Sequence, residues 1–110
     1  MKKYKMGDNI THNTSGNRFE YITPEATAYI EYELSGKVMD LTHTIVPRML
    51  EGRGLGGSLV KHALDYARAN GYKIKPTCWF VDKFIKKFND YQDLVIEISE
   101  DSHNGPVCEI

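Results

Sequence analysis

The sequence predicts an α+β fold, a mainly antiparallel sheet with two principal helices, in a single domain over residues 1 to 110. Three observations lead there. Alternating apolar stretches crowd the first half of the chain, a Ser35-Gly36 pair joins two of them, and helical spacing of apolar residues takes over after a glycine cluster at residues 52 to 57.

The first strand is expected over residues 17 to 22, alternating around Phe19 and Tyr21. Pro24 breaks it. Residues 28 to 34 then place Ala28, Ile30, Tyr32 and Leu34 on one face and Tyr29, Glu31 and Glu33 on the other, the pattern of a half-buried strand. Residues 38 to 46 follow after the turn, with Met39, Leu41, His43 and Ile45 sharing a face, so an antiparallel hairpin is expected with His43 among apolar neighbours. The first helix is expected over residues 54 to 69, because Leu55, Leu59, Val60, Ala63, Leu64 and Ala67 recur at helical spacing and Asn70-Gly71 ends it. Residues 72 to 78 read as extended, with Pro76 keeping Lys75 out of the helical region. Val81, Phe84, Ile85 and Phe88 mark one face of a second helix, and residues 94 to 98 read as a further strand. The polar ends, residues 1 to about 9 and about 99 to 110, are expected to be loose.

A chain of 110 residues is long enough to bury a core without staples. Its 41% hydrophobic and 26% charged residues are those of an ordinary soluble protein, no apolar run has the length of a membrane span, and the N-terminus lacks an apolar signal core. A cytoplasmic protein with no membrane partner is expected. Cys78 and Cys108 lack metal-ligand spacing, as do His12, His43, His62 and His103, so no metal is expected. Net charge is -1, yet residues 96 to 110 hold Glu97, Glu100, Asp101 and Glu109 without a Lys or Arg, an acidic extension that leaves residues 1 to 95 at +3. Ten Lys or Arg between residues 37 and 87 against four acids would attract a phosphorylated ligand, though a solvated face of mixed sign accounts for the same run. Nucleic acid is not expected as a partner, because no RNP, KH or helix-turn-helix signature accompanies that charge.

A strand, a glycine-rich turn and a helix N-terminus in succession suit a phosphate: the first-turn N–H groups lack partners, the helix dipole favours an anion, and glycines admit it to the backbone. The loop is not GxxxxGK[ST], and although residues 52 to 57 spell GxGxxG, the acidic partner of a second βαβ strand is absent, so no dinucleotide fingerprint is read. It reads as a pyrophosphate cradle or as a plain tight turn opening a helix.

The stretch HTIVP at residues 43 to 47, followed by EGRGLGGSLVKHALDYARANGYKIKPTCWFV at residues 51 to 81, resembles the minimal GNAT-like N-acetyltransferase family. That family's pattern runs HTxVP, a RGRGIA-like loop, LxxxALxxAR and PxCxYV, and the resemblance covers about residues 17 to 95, the expected acetyltransferase core. It implies a compact GNAT-like acyl-CoA N-acyltransferase fold in which the strand ending at Val46 splays from the one ending at Cys78 and admits the pantetheine arm of acetyl-CoA or CoA. It further implies that backbone N–H groups from Arg53 through Gly54, Leu55, Gly56 and Gly57 to Ser58 bind the pyrophosphate, while main chain at Ile45 and Val46 pairs with pantetheine amides. Glu51 departs from the Gln or Arg usual at the start of the loop, and a carboxylate there repels a pyrophosphate if it points inward.

Transfer of an acetyl group from a thioester to an amine needs an oxyanion donor, a base and an acid for the departing thiolate. The resemblance places a tyrosine where this chain has Phe84, a cofactor-site position whose ring cannot donate a proton. Cys78, matching PxC, is then a candidate acid or nucleophile, His43 a candidate base, and the backbone near Thr44 a candidate oxyanion site. Each has a plain alternative: a small buried hydrophobe, a hydrogen-bonded core imidazole, a β-branched strand residue. Trp79 and Phe80 read as core or rim aromatics or as walls along pantetheine, and Cys108 as incidental. Two functions stand side by side, an N-acetyltransferase acting on a small-molecule or protein amine, and a module that holds acetyl-CoA with little turnover, acetylated or not on Cys78.

Overall fold

The structure is a computed structural model that describes residues 10–96. Five strands form one sheet in the order β1 (Ile10–Asn13), β2 (Arg18–Ile22), β3 (Thr27–Ser35), β4 (Val38–Ile45) and β5 (Lys73–Lys75). The first four pair antiparallel, and β5 joins β4 in parallel after the crossover helix α1 (Leu55–Asn70). A 3-10 turn at Arg48–Leu50 leads from β4 towards α1, and α2 (Trp79–Lys87) follows β5 and ends in a 3-10 helix at Asn89–Leu94.

Hydrophobic alternation sets which way the sheet faces. Phe19, Ala28, Ile30, Tyr32, Met39, Leu41 and Ile74 all point to the side where α1 lies, and all are buried. The six apolar residues expected along α1 are its buried stripe, each at most 1% exposed, with Ala63 and Ala67 small enough for the helix to lie close on the sheet. Burial of each large aliphatic side chain there stabilises the fold by about 1.5–3 kcal/mol. Gly71 closes α1 in the left-handed region at φ 77°, and the Tyr72 N–H returns to the Ala67 carbonyl at 2.9 Å.

Three expectations need correction. Strand β1 was not foreseen: Ile10 and His12 face inward opposite Tyr21 and Phe19, and a turn through Gly16 and Asn17 (φ 56°) joins β1 to β2. Residues 94 to 98 do not begin as a strand, since Leu94 ends the 3-10 helix and Val95 makes a single parallel bridge to Ile74, with residues 97 and 98 outside the described residues. The third correction lies in β4. Glu31 pairs with His43 but Tyr32 pairs with Leu41, so Thr42 is an extra, bulged residue, and beyond it the inward and outward positions exchange. His43 is therefore not among apolar neighbours: its side chain is 65% exposed, with Nδ1 3.4 Å from Glu31 Oε1, and Thr44 faces the helix side instead.

Candidate functional site

Strands β4 and β5 share only three paired positions, from Val38–Lys73 to Asp40–Lys75, and the last link is the Cys78 N–H on the Leu41 carbonyl at 2.9 Å. Beyond that link the chains part. The β5 side turns at Pro76 into α2, while β4 continues to Ile45, so among the described residues no strand pairs with that edge of β4 past Leu41. Unpaired strand backbone of this kind is a ready partner for an extended, amide-bearing ligand.

The cleft so opened leads into a groove of about 390 Å³ lined by Thr44, Val46, Leu50, the glycine loop and Phe80. Its floor is the start of α1. Gly52 and Gly54 have φ of 85° and 75°, a backbone that L side chains rarely adopt, and the turn they make leaves α1 capped by Gly54 with no side-chain hydrogen bond. The first helical N–H to find its carbonyl in this turn is that of Ser58, on Gly54, so the N–H groups of Leu55, Gly56 and Gly57 are free of the usual Ser, Thr or Asp cap. Glu51, on the rim, is exposed.

Of the expected cofactor residues, Gly54, Leu55, Gly56 and Gly57 line this groove with Val46, and Ser58 lies one step further along the helix in an adjoining groove. Ile45 is on the outward face at 41% exposure, with only its main chain turned to the cleft edge, and the Arg53 side chain is exposed beside the loop without lining either groove. Phe84 lines the adjoining groove, where its ring lies against Gly57. Phe80, one turn earlier on α2, lines the same groove as Thr44: a Cβ on Gly56 would sit 3.1 Å from its ring edge, so the glycine makes room for the aromatic wall. Position 80 is also where the PxCxYV pattern carries its tyrosine, a signal the sequence held. Trp79 is no core residue, since it is 70% exposed with the Lys83 ammonium 4.8 Å from its ring centroid.

Cys78 is the residue before α2, half-buried, and its carbonyl accepts the Asp82 N–H of the first turn. Its Sγ stands 3.5 Å from Thr44 Oγ1 across the mouth of the splay. Two of the three expected chemical residues thus meet, and His43 stands apart on the other face beside Glu31. Thr77 donates its hydroxyl proton to Asp40, tying the turn before Cys78 to β4.

This arrangement has known counterparts. Residues 18–94 match the family model of GCN5-related N-acetyl-transferases. The chain belongs to the GCN5-related N-acetyltransferase family. A GCN5-like protein from Staphylococcus aureus, solved by NMR, superposes over 87% of this chain and 95% of its own with a TM-score of 0.66 at 29% identity. Protein NATD1 of cattle and of human is 41% identical, and that of zebrafish 39% identical, over 61 residues that make up 54% of this chain. The chain spans about half the length of these curated relatives. The family relation accounts for the mixed sheet with its antiparallel majority, its two helices and the splay between β4 and β5. Among the described residues no helix is long and apolar enough to cross a membrane, and no cluster of His, Cys, Asp and Glu would hold a metal ion.

Proposed function

We propose that the protein binds acetyl-CoA in the splay and transfers the acetyl group to an amine by way of Cys78. The observation that carries this reading is the meeting of Cys78 Sγ and Thr44 Oγ1 at 3.5 Å where the free edge of β4 and the uncapped start of α1 converge. The pantetheine arm pairs with main chain at Ile45 and Val46, and its pyrophosphate lies on the N–H groups from Arg53 to Ser58 with Gly54 and Gly56 free of side chains in its way. Glu51, being exposed, can turn to solvent.

In the first step the Cys78 sulfur attacks the thioester carbonyl, the bond from carbonyl carbon to CoA sulfur breaks, and the Cys78 proton leaves on the CoA thiol. Thr44 holds the Cys78 sulfur and, with the neighbouring main chain, the developing oxyanion. In the second step the amine attacks acetyl-Cys78, gives up a proton, and restores the thiol. His43 lies on the face of β4 away from Cys78, beside Glu31, so the proton of the amine passes to the Cys78 thiolate as the bond from acetyl carbon to sulfur breaks. One feature favours the second reading, acetyl-CoA held with little turnover: the α2 ring facing the groove is Phe80, which carries no proton to give.

Intact-mass spectrometry of native and denatured protein, after mixing with acetyl-CoA and with or without a panel of small and peptide amines, decides between them. An added acetyl group that maps to Cys78, survives denaturation and disappears on adding an amine is expected. Noncovalent retention alone supports the binding module, and no retention at all refutes both.

A further inference from the structure

Helix α2 buries Val81 and Ile85 and turns another face outward. Trp79, Lys83 and Lys86 follow one another at helical spacing along that face, with Lys87 beside them, and all four are exposed, Trp79 to 70%. Among the described residues only Lys86 has a carboxylate partner there, Asp82 Oδ2 at 3.0 Å, while Lys83 and Lys87 each stand near a ring instead, 4.8 Å from the Trp79 centroid and 5.5 Å from that of Phe88. We propose that this face is the docking surface for the chain's own acidic segment, residues 97 to 110, which lies outside the described residues, and that the docked segment covers the mouth of the splay at Cys78.

The course of the described chain at its end leads there. Val95 bridges Ile74 in parallel, and the Ile96 N–H donates to the Ile74 carbonyl at 2.9 Å, so the chain reaches residue 96 alongside β5 and running the same way, towards Cys78 and the start of α2. The reach suffices. Fully extended, the 14 residues from 97 to 110 span up to about 46 Å, against about 13 Å for the nine residues of α2. The charges are complementary as well: the segment holds Glu97, Glu100, Asp101 and Glu109 with no Lys or Arg, whereas the helix face carries the ammonium groups of Lys83, Lys86 and Lys87 against the single carboxylate of Asp82. One exposed ion pair is worth little, but a tether presents the segment at a local concentration on the order of millimolar, so several such pairs and contact with an exposed indole act together. Trp79 directly follows the half-buried Cys78, so a segment lying on the indole also lies beside the thiol and screens it.

Trp79 is the only tryptophan of the chain, so tryptophan fluorescence reports on this surface alone. Acrylamide, an uncharged quencher, is titrated into the full chain and into a full-length variant carrying Glu97→Gln, Glu100→Gln, Asp101→Asn and Glu109→Gln, at about 0.01 M and about 1 M salt, between which the screening length falls from about 30 to about 3 Å. The wild type should be quenched about half as strongly at low salt as at high salt, and the variant strongly at both. Lys86→Gln with Lys87→Gln, which leaves Lys83 at the indole, should behave as the tail variant does. Iodoacetamide labelling of Cys78 at low salt, followed by peptide mapping, should be faster in the tail variant than in the wild type. Equal quenching of wild type and tail variant at low salt overturns the docking, and protection that rises with protein concentration overturns the assignment to the chain's own segment in favour of that of a second copy. Altered quenching with unaltered labelling of Cys78 overturns the cover over the mouth. Neither readout involves acetyl-CoA, so the outcome is separate from that of the proposed transfer.

Discussion

Gly54 is the position where the fold and the proposed ligand make the same demand, and replacing it by alanine separates the two. With φ at 75°, a side chain there sits in the left-handed region, which costs an L residue about 1–2 kcal/mol. Nothing lies within 4 Å of the added methyl, so no clash adds to that figure. The stiffer unfolded chain returns about 0.4–1 kcal/mol, and the net loss is about 1 kcal/mol. Gly71, at the other end of α1, supplies a matched control: φ is 77°, nothing lies within 4 Å, and the 16 residues of the helix hold it roughly 24 Å from the loop at 1.5 Å per residue.

Urea unfolding should therefore show Gly54→Ala and Gly71→Ala moving the midpoint down by the same amount at an unchanged slope. Calorimetry with CoA should separate them, Gly54→Ala weakening binding at least about tenfold because its methyl stands in the wall common to both grooves, and Gly71→Ala leaving it unaltered. A Gly54→Ala protein as stable as the wild type would refute the backbone argument. Equal CoA affinity in the two variants would refute the placement of the diphosphate.

Two further outcomes are expected. Burial, reinforced by their mutual repulsion at His12, lowers the pKa of His12 and His62 below 6.5, so the fold keeps them neutral where the unfolded chain takes up protons; stability present above pH 6.5 should fall as pH drops below it, and urea midpoints of His12→Phe from about pH 8 to about pH 5 should slope less than those of the wild type. Phe80→Tyr, which adds an acid in the groove that Thr44 lines, should raise acetyl transfer at least about tenfold with little change in acetyl-CoA affinity, as an interaction made only in the transition state does; Phe84→Tyr, in the adjoining groove, should leave the rate unchanged, and a gain at position 84 alone would place the departing thiol there instead.

What the sequence made legible follows from how each feature is encoded. The β2 and β3 strands, β4 as far as Leu41, and α1 carry periodic apolar residues that a single core selects, so both their type and their buried faces could be read, whereas past Leu41 the bulge reverses the face of β4. Strand β1 has four residues, of which only Ile10 is plainly apolar; His12 does the inward work, its Nε2 2.6 Å from the Tyr32 hydroxyl and its ring stacked 4.2 Å from Phe19, and an imidazole gives no periodic signal. The glycine cluster announced the loop because positive φ requires glycine at 52 and 54, yet Gly56 is needed for a different reason, the Phe80 ring, which is a tertiary fact. The adjoining groove was hidden for the same cause: Lys61, Phe84 and Asp90 line it from separate elements, and their meeting depends on α2 crossing the start of α1.

The bulge at Thr42 shows how much chemistry can turn on one unpaired residue. In a regular strand the alternation that buries Met39 and Leu41 would continue to His43 and turn Thr44 outward, so an imidazole would face the thiol of Cys78. The extra residue, held by the Thr42 hydroxyl on the Glu31 carbonyl at 3.2 Å, exchanges them. A hydroxyl then stands at the sulfur, and the imidazole stands on the opposite face beside a carboxylate. On the proposed reading, the thioester and the thiol therefore meet beside a hydroxyl, with no imidazole at the sulfur. The same splay that leaves β4 unpaired past Leu41 brings its edge to Cys78, the one thiol among the described residues.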